Sequence, residues 1–375
     1  MTVRDTHGAR GARDTHRTRD THGAAAPALL EVRDLSVEFD TYGGTVHAVR
    51  GVSFDVHAGR TLAIVGESGC GKSVTVQSVM ELIPMPPGRI VGGTALFRGR
   101  DILGQKTVDG EDIRGSQIGM IFQDPMTSLN PTMTIGDQIA ETLQVHRGQS
   151  HRQALARAVE LLEMTRINES DKRARQYPFE FSGGMLQRSM IAMALACEPA
   201  ILIADEPTTA LDVTIQAQIL DLMRELQRSN DMAIILITHD LGVVARMADQ
   251  VAVMYAGEIL ETGTAEDVFY RSAHPYTLGL KDAMPTNRDE AEQNLTPILG
   301  SPPDLFAPPA GCAYFARCPH AMRVCEESHP EPFAIGASHA AQCWLHHPDC
   351  AERVADVHYG THTDTGTHTD TGTPS

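Results

Sequence analysis

The stretch Gly66-Glu67-Ser68-Gly69-Cys70-Gly71-Lys72-Ser73 decides the fold of this 375-residue chain. It follows a short apolar run, Thr61 to Val65, and precedes a segment with helical spacing, Ser73 to Ile83. A strand, a glycine-rich loop and a helix in this order direct backbone N–H groups and the positive end of the helix toward a phosphate. The stretch therefore predicts a P-loop in an α/β domain that binds ATP.

Each residue type in this loop has a predicted task. Lys72 is expected to reach the β- and γ-phosphates, and Ser73 is expected to ligate Mg²⁺. Cys70 contributes its backbone N–H, although its thiol gives an oxidant a place to block the site. The residues predicted to contact the nucleotide here are Gly66, Ser68, Gly69, Cys70, Gly71, Lys72 and Ser73.

Two acids follow a second apolar run. Ile201 to Ala204 reads as a buried strand, and Asp205 and Glu206 come directly after it. Ligands of open α/β sheets bind at the carboxyl ends of the strands, where these side chains would lie. We expect Asp205 to hold Mg²⁺ and Glu206 to polarise the attacking water as a general base.

Composition excludes several classes of protein. The formal net charge is −17, which argues against a general nucleic-acid binder, since such proteins neutralise phosphates with Lys and Arg. No apolar run approaches the ~20 residues of a membrane helix, and the N-terminus lacks the apolar core of a secretory signal. We therefore expect a cytoplasmic protein, which would dock onto other subunits if it works at a membrane.

Composition also divides the chain into segments. Residues 1–26 and 351–375 are low-complexity repeats rich in Thr, Asp and His, and both are predicted to be disordered tails. Residues 27–270 form the predicted nucleotide-binding domain, with a helical subdomain at about 124–200. The composition shifts to Pro, His and Cys in residues 271–350, which we interpret as a C-terminal extension.

Further motifs resemble those of the ABC ATPase family. Phe181-Ser182-Gly183-Gly184-Met185 is similar to the family's signature motif, with Met where Gln is usual. Gln123 resembles the Q-loop glutamine, Asp212 lies in a D-loop-like Ala210-Leu211-Asp212, and His239 resembles the switch histidine. The resemblance covers most of Leu29 to Tyr270.

The resemblance implies a fold and a set of site residues. The fold is a RecA-like α/β P-loop core with an antiparallel β-subdomain and an inserted helical subdomain. Gln123 and His239 would join Glu206 in catalysis, with Gln123 also near Mg²⁺. Ser182, Gly183, Gly184 and Asp212 would act on the ATP of a second cassette, packed head-to-tail. Tyr42 is the first choice to stack on adenine and Phe39 the second, although Phe39 could equally pack in a sheet.

Two more stretches narrow the resemblance to one branch. Residues 122–131, Phe-Gln-Asp-Pro-Met-Thr-Ser-Leu-Asn-Pro, are very similar to those of dipeptide and oligopeptide (and nickel) importer ATPases, as is His274-Pro275-Tyr276-Thr277. This implies a peripheral subunit on the cytoplasmic face of the membrane. Its partners would be a second ATPase subunit, two permease subunits and an extracellular peptide-binding protein. Nickel or another small solute stays open as cargo, as does a non-transport ABC ATPase.

Five of the seven cysteines crowd into the extension. In a cytosolic chain this pattern favours a metal site over disulfides. Cys312, Cys318, Cys325 and Cys343 resemble the four-cysteine site of the peptide importers, which implies a [4Fe–4S] cluster, with Zn²⁺ or no metal as alternatives. Because the site is far in sequence from the ATP motifs, we expect a mainly structural role, so that loss of Cys318 would leave the ATP site intact. A redox-sensing role is a further alternative.

Overall fold

The computed structural model describes residues 27–104, 113–209, 211–283 and 297–350. The two tails, 1–26 and 351–375, lie outside the described residues, as does Ala210. In chain order the strands are β1 (Leu30–Thr41), β2 (Gly44–Val56), β3 (Thr61–Val65), β4 (Gly88–Phe97), β5 (Arg100–Asp101), β6 (Ile118–Ile121), β7 (Ile201–Asp205), β8 (Ala233–Thr238), β9 (Gln250–Tyr255), β10 (Glu258–Thr264), β11 (Phe333–Ala334) and β12 (Ala340–Ala341).

The helices alternate with these strands in the core and cluster between β6 and β7. They are α1 (Lys72–Val79), α2 (Pro125–Ser128), α3 (Ile135–Arg147), α4 (His151–Met164), α5 (Ser170–Arg173), α6 (Gly183–Ala194), α7 (Val213–Asn230), α8 (Leu241–Met247), α9 (Ala265–Tyr270), α10 (Pro275–Asp282) and α11 (Arg323–Glu327). Within the described ranges, none of these helices is both long and apolar enough to cross a membrane.

The main sheet has the strand order β11-β12-β10-β9-β3-β8-β7-β6 in the described residues. Strands β9, β3, β8, β7 and β6 run parallel, whereas β10 to β12 are antiparallel additions. Every residue of β3, β7 and β8 is buried, as continuous apolar runs predict for parallel strands covered on both faces. The predicted α/β class is confirmed, and the carboxyl ends of β3 and β7 lie along one edge of the sheet.

A second sheet has the order β2-β1-β4-β5 and is antiparallel. Alternating side chains of β1, among them Leu30, Val32, Leu35 and Val37, are fully buried. They join one core with β3 and α1, so the antiparallel sheet packs against the P-loop helix. This is the antiparallel subdomain that the family resemblance implies.

Helices α2 to α6 form the inserted helical region, and α3, α4 and α6 share a core with the other face of the main sheet. Local signals fix the ends of these helices. Thr134 accepts a hydrogen bond from the Asp137 N–H at the start of α3, and Ser150 and Gln153 form a capping box at the start of α4. Helix α6 precedes β7 in the chain, and the signature motif lies at its N-terminus, where Ser182 and Gly183 are exposed.

The extension packs directly on the nucleotide-binding core. Strand β12 pairs with β10, so the extension lengthens the main sheet. Tyr276 and Tyr314 pack with Tyr255 at ring-centroid distances of 4.6 to 5.4 Å, in one apolar cluster with β3 and β9. Although a small extension is expected to bury little apolar surface, this one shares the core of the larger domain.

Candidate active site

The P-loop connects β3 to α1, and two of its positions accommodate only glycine. Gly66 and Gly71 have positive φ angles of 156° and 104°. A Cβ atom on Gly66 would lie 2.0 Å from the Met254 carbonyl oxygen, and one on Gly71 would lie 2.5 Å from that of Ala48. Side chains are therefore excluded at both positions, which explains the glycines better than turn propensity alone. Ser68 and Gly69 are exposed at the crest of the loop.

Lys72 lies beneath this loop and is almost completely buried. Its ammonium group donates to the carbonyl oxygens of Gly66 and Glu67, both at 2.9 Å. The amine is thus held inside the curve of the loop, where the sequence places it for phosphate contact. Burial raises the pKa of the neighbouring Cys70 thiol, which disfavours the reactive thiolate.

Ser73 and Asp205 meet across the ends of β3 and β7. The Ser73 hydroxyl donates to Asp205 Oδ1 at 2.8 Å. Burial raises the pKa of the Asp205 carboxyl, while the Ser73 hydrogen bond acts in the opposite direction. A hydroxyl and a carboxylate in contact beside the P-loop are the oxygen ligands that Mg²⁺ takes together with substrate phosphates.

Glu206 is the centre of a side-chain cluster. Its Oε2 accepts from Gln123 Nε2 and from the Thr209 hydroxyl, both at 3.0 Å, and its Oε1 lies 3.2 Å from His239 Nδ1. Glu206 has a φ of 47°, a left-handed conformation that is uncommon for a side-chain-bearing residue and is concentrated at functional sites. The structure therefore brings together all three residues predicted to be catalytic.

Thr209 is a contact that the sequence analysis missed. It follows Glu206 by three residues, and its backbone N–H also donates to the Glu206 carbonyl oxygen at 3.2 Å. The sequence signal is a Glu-x-x-Thr turn directly after a buried strand, which places a hydroxyl above the carboxylate.

The signature motif forms the start of α6. Ser182 is the N-cap, and its hydroxyl accepts from the Met185 N–H at 3.4 Å. Ser182 and Gly183 are exposed, so the N-terminus of a 12-residue helix is open to solvent. Asp212 is likewise exposed and caps α7 by accepting from the Ile215 N–H. The hydrogen bonds of Ser182 and Asp212 are local caps, and their predicted contacts with a second cassette stay a prediction.

The two aromatic candidates for adenine have different surroundings. Tyr42 lies at the turn between β1 and β2 and is completely exposed. Phe39 packs against the core, and a Cβ on Gly88 would lie 2.9 Å from its ring. Phe306 of the extension lies against Gly43 and Gly44 of the same turn, a neighbour that the sequence analysis missed. The stacking role of Tyr42 stays a prediction.

Glu67, the second residue of the P-loop, contacts the C-terminal extension. The sequence analysis did not predict this contact. The Glu67 carboxylate accepts from both terminal nitrogens of Arg317, at 2.8 and 3.0 Å. The Glu67 N–H donates to the Tyr276 hydroxyl at 2.9 Å. These contacts span 250 and 209 residues of sequence, so periodicity and motif spacing gave no signal for them.

The four predicted cysteine ligands share one cavity. Cys312, Cys318, Cys325 and Cys343 line it together with His320, Phe315 and Trp344, and its volume is about 10 Å³. Burial raises the pKa of Cys312 and of Cys343 to about 12 and that of Cys318 to about 11. In the described ranges, no three His, Cys, Asp or Glu side chains are placed to hold a single metal ion.

Comparison with known proteins agrees with this geometry. A family model described as "ABC transporter" matches residues 49–209, and one described as "Oligopeptide/dipeptide transporter, C-terminal region" matches residues 260–325. The chain is 57% identical to the oligopeptide transport ATP-binding protein OppD of Bacillus subtilis over 86% of this chain and 90% of OppD. It is 55% identical to the dipeptide transport ATP-binding protein DppD of the same organism, over 84% and 94%.

A solved dimeric structure of the bacterial ABC transporter cassette MJ0796 has the same fold. It covers 63% of this chain and 98% of its own length, with a TM-score of 0.56 and 26% identity. Fold and site together define an ABC ATPase, a subunit that hydrolyses ATP and uses Mg²⁺. Its close similarity to OppD and DppD goes further: the chain belongs to the oligopeptide and dipeptide branch of ABC transporter ATP-binding subunits.

Proposed function

We propose that this chain hydrolyses ATP to energise the import of di- and oligopeptides through a membrane ABC transporter. The observation that carries the proposal is the contact of Glu206 with Gln123 and His239 beside the P-loop. The names of the relatives, an oligopeptide and a dipeptide transport ATP-binding protein, support peptides as the cargo. Nickel or another small solute is the alternative cargo.

The residues divide the chemical step between them. The P-loop amides and Lys72 bind the phosphates, and Glu206 accepts a proton from the attacking water. Ser73, Asp205 and Gln123 would hold Mg²⁺, which neutralises charge on the phosphates. The amide nitrogen of Gln123 donates to Glu206, so its amide oxygen is the atom available to the metal. His239 contacts the other oxygen of Glu206 and would orient it toward the γ-phosphate.

A second cassette would complete each ATP site. The open N-terminus of α6, with Ser182 and Gly183 exposed, supports a γ-phosphate contact in trans, because helix N-termini bind anions. The similarity to a dimeric cassette supports the same arrangement. We propose that two cassettes pack head-to-tail, with each signature motif facing the P-loop of the other.

The permease subunits would dock on a cleft between the main sheet and the helical region. The cleft has a volume of about 250 Å³ and is lined by apolar side chains such as Leu82, Met120, Leu129 and Met193. Leu82 and Phe122, which also line it, are exposed. Phe122 directly precedes Gln123, so a permease helix in the cleft would lie one residue from the Glu206 cluster. We place the permease contact on the cytoplasmic face of the membrane.

The deciding experiment is reconstitution of the chain with its permeases, its second ATPase subunit and the peptide-binding protein in liposomes. Oligopeptide added with the binding protein should stimulate ATP hydrolysis and appear inside the liposomes. Stimulation by Ni²⁺ and not by peptide would replace the cargo assignment. A constant ATPase rate with either solute would reject transport coupling and favour a non-transport ATPase.

We propose further that Cys312, Cys318, Cys325 and Cys343 hold a [4Fe–4S] cluster. Four thiols around one mostly apolar cavity suit the four-cysteine ligand set of such clusters. Zinc is the alternative, because four thiolates also form the ligand set of structural Zn²⁺ sites.

The cluster has a direct chemical test. Anaerobically purified protein should be brown and contain about four irons and four sulfides per chain. Stoichiometric zinc without iron would leave a zinc site, and metal-free protein whose extension resists proteolysis would reject both.

A further inference from the structure

Arg317 makes a complete set of hydrogen bonds at the junction between the extension and the P-loop. Its Nε donates to the Leu299 carbonyl oxygen at 3.0 Å. One terminal nitrogen donates to Glu67 and to the Tyr255 hydroxyl, and the other donates to Glu67 and to the Ile298 carbonyl oxygen. A guanidinium has five N–H donors, and all five have acceptors here.

Burial strengthens this junction. The Arg317 side chain is only 6% exposed and that of Glu67 is 24% exposed. The guanidinium also lies 5.7 Å from the ring centre of Tyr255 and 6.0 Å from that of Tyr314. A two-point Arg–carboxylate pair whose guanidinium is buried beside two tyrosine rings fixes both the position and the direction of the carboxylate.

Glu67 is held through its backbone as well. Its N–H donates to the hydroxyl of Tyr276, which is itself fully buried, and its carbonyl oxygen accepts from Lys72. Side chain and N–H are thus bound by the extension, while the carbonyl oxygen bears the P-loop lysine. A shift of Glu67 would move one of the two carbonyl groups that locate the Lys72 amine.

We infer that Arg317 and Tyr276 are positioning residues for nucleotide binding, through which the extension holds the P-loop in its phosphate-binding curve. Neither residue needs to contact ATP for this. Other contacts also hold the P-loop, such as the hydrogen bond from the Gly257 N–H to the Cys70 carbonyl oxygen, and Glu67 is the position at which the extension adds to them. ATP affinity should therefore depend on two side chains that lie outside every nucleotide motif.

The test measures ATP binding to the purified full-length chain by titration calorimetry. Arg317→Ala should raise the Kd for ATP about tenfold, and Tyr276→Phe, which keeps the ring and loses the acceptor, should raise it roughly threefold. The number of sites per chain should stay at the wild-type value. Arg323→Ala is the matched control, because Arg323 is an exposed extension arginine that pairs with Glu327 one turn along its own helix.

A purely structural role predicts a different result, namely fewer binding-competent chains with an unchanged Kd. Adding Glu67→Ala to Arg317→Ala should not weaken ATP binding further, because both changes remove the same Arg317–Glu67 ion pair. Wild-type Kd values for Arg317→Ala and Tyr276→Phe would overturn the inference. A Kd for the Glu67→Ala, Arg317→Ala double variant that exceeds the Kd of Arg317→Ala would also overturn it. If Arg317→Ala fails to fold, Tyr276→Phe decides the question alone: a raised Kd supports the inference and a wild-type Kd rejects it.

Discussion

Glu206 is the residue on which hydrolysis depends, because its carboxylate is bound on both oxygens. Gln123 and Thr209 hold one oxygen, and His239 lies beside the other. These contacts restrict the rotamers of the side chain before any substrate arrives. Because the general base is already oriented, less conformational entropy is lost when the transition state forms.

Glu206→Gln should bind ATP with wild-type affinity and lose turnover by about 10²- to 10⁴-fold, because an amide cannot accept the proton from water. The measurement is phosphate release by the assembled transporter, beside ATP binding by the variant. We also expect the variant to accumulate the closed cassette pair with ATP. Hydrolysis near the wild-type rate would remove Glu206 from the role of base.

Thr209→Val tests the contact that the sequence did not reveal. Valine has the shape of threonine without the hydroxyl, so the Glu206 carboxylate loses one hydrogen bond of about 1 kcal/mol. We expect kcat to fall about fivefold, with little change in the KM for ATP. A larger KM with unchanged kcat would place Thr209 in nucleotide binding and not in the orientation of Glu206.

At the scale of elements, helix α6 presents two glycines with different surroundings. A Cβ on Gly184 would lie 3.0 Å from Ile215 of α7, whereas a Cβ on Gly183 would meet only Leu211 at 3.9 Å. A bulky residue at Gly184 therefore disturbs packing within the chain. Position 183 is the better probe of contacts with a second cassette.

Gly183→Asp should leave ATP binding by the isolated chain unchanged and strongly depress hydrolysis by the assembled pair. The acid is favourable at a helix N-terminus, so α6 is not destabilised, but its charge repels the γ-phosphate of the partner's ATP. Gly183→Ala is the control for size and should retain most activity. Loss of ATP binding in the isolated chain would place the signature motif in its own site.

At the scale of the whole molecule, adjacent residues connect the apolar cleft to the Glu206 cluster, because Phe122 lines the cleft and Gln123 donates to Glu206. Leu82→Glu puts a charge into the cleft, and Leu82 is exposed enough for the fold to tolerate it. We expect normal ATP binding but loss of assembly with the permeases and of peptide-stimulated hydrolysis. Ile335→Glu is the control, because Ile335 is about as exposed and lies outside the cleft. Normal assembly of Leu82→Glu would move the docking site elsewhere.

The cysteine site and the P-loop are also connected at this scale. Arg317 lies on the turn between Cys312 and Cys318, where the Cys318 N–H donates to the Phe315 carbonyl oxygen at 3.2 Å. Because the cysteines are far in sequence from the ATP motifs, we expected loss of Cys318 to leave the ATP site intact. The Arg317–Glu67 contact connects the cysteine-bearing turn to the P-loop, so we now expect loss of Cys318 to weaken ATP binding.

Cys318→Ser should lose the iron of the proposed cluster and raise the Kd for ATP, by less than Arg317→Ala does, because the turn loosens while the guanidinium remains. Iron content and ATP binding should be measured on the same anaerobic preparation. Loss of iron with a wild-type Kd would show that the Arg317 turn holds its shape without the cysteine site.

Local sequence determined much of this protein. The buried runs before the P-loop and before Asp205 predicted β3 and β7 because continuous apolar strands suit only the centre of a covered sheet. The glycine pattern predicted the P-loop, although the reason that Gly66 and Gly71 must be glycine, the close approach of the Met254 and Ala48 carbonyl oxygens, was visible only in the structure.

Only the tertiary structure decided which distant side chains meet. Gln123 and Glu206 are 83 residues apart and come together because β6 and β7 are neighbours in the sheet. Arg317 and Glu67 are 250 residues apart and meet because the extension packs on the tyrosine cluster over β3 and β9. Strand order and packing arise from the burial of whole surfaces, a property of the complete chain that no single motif encodes.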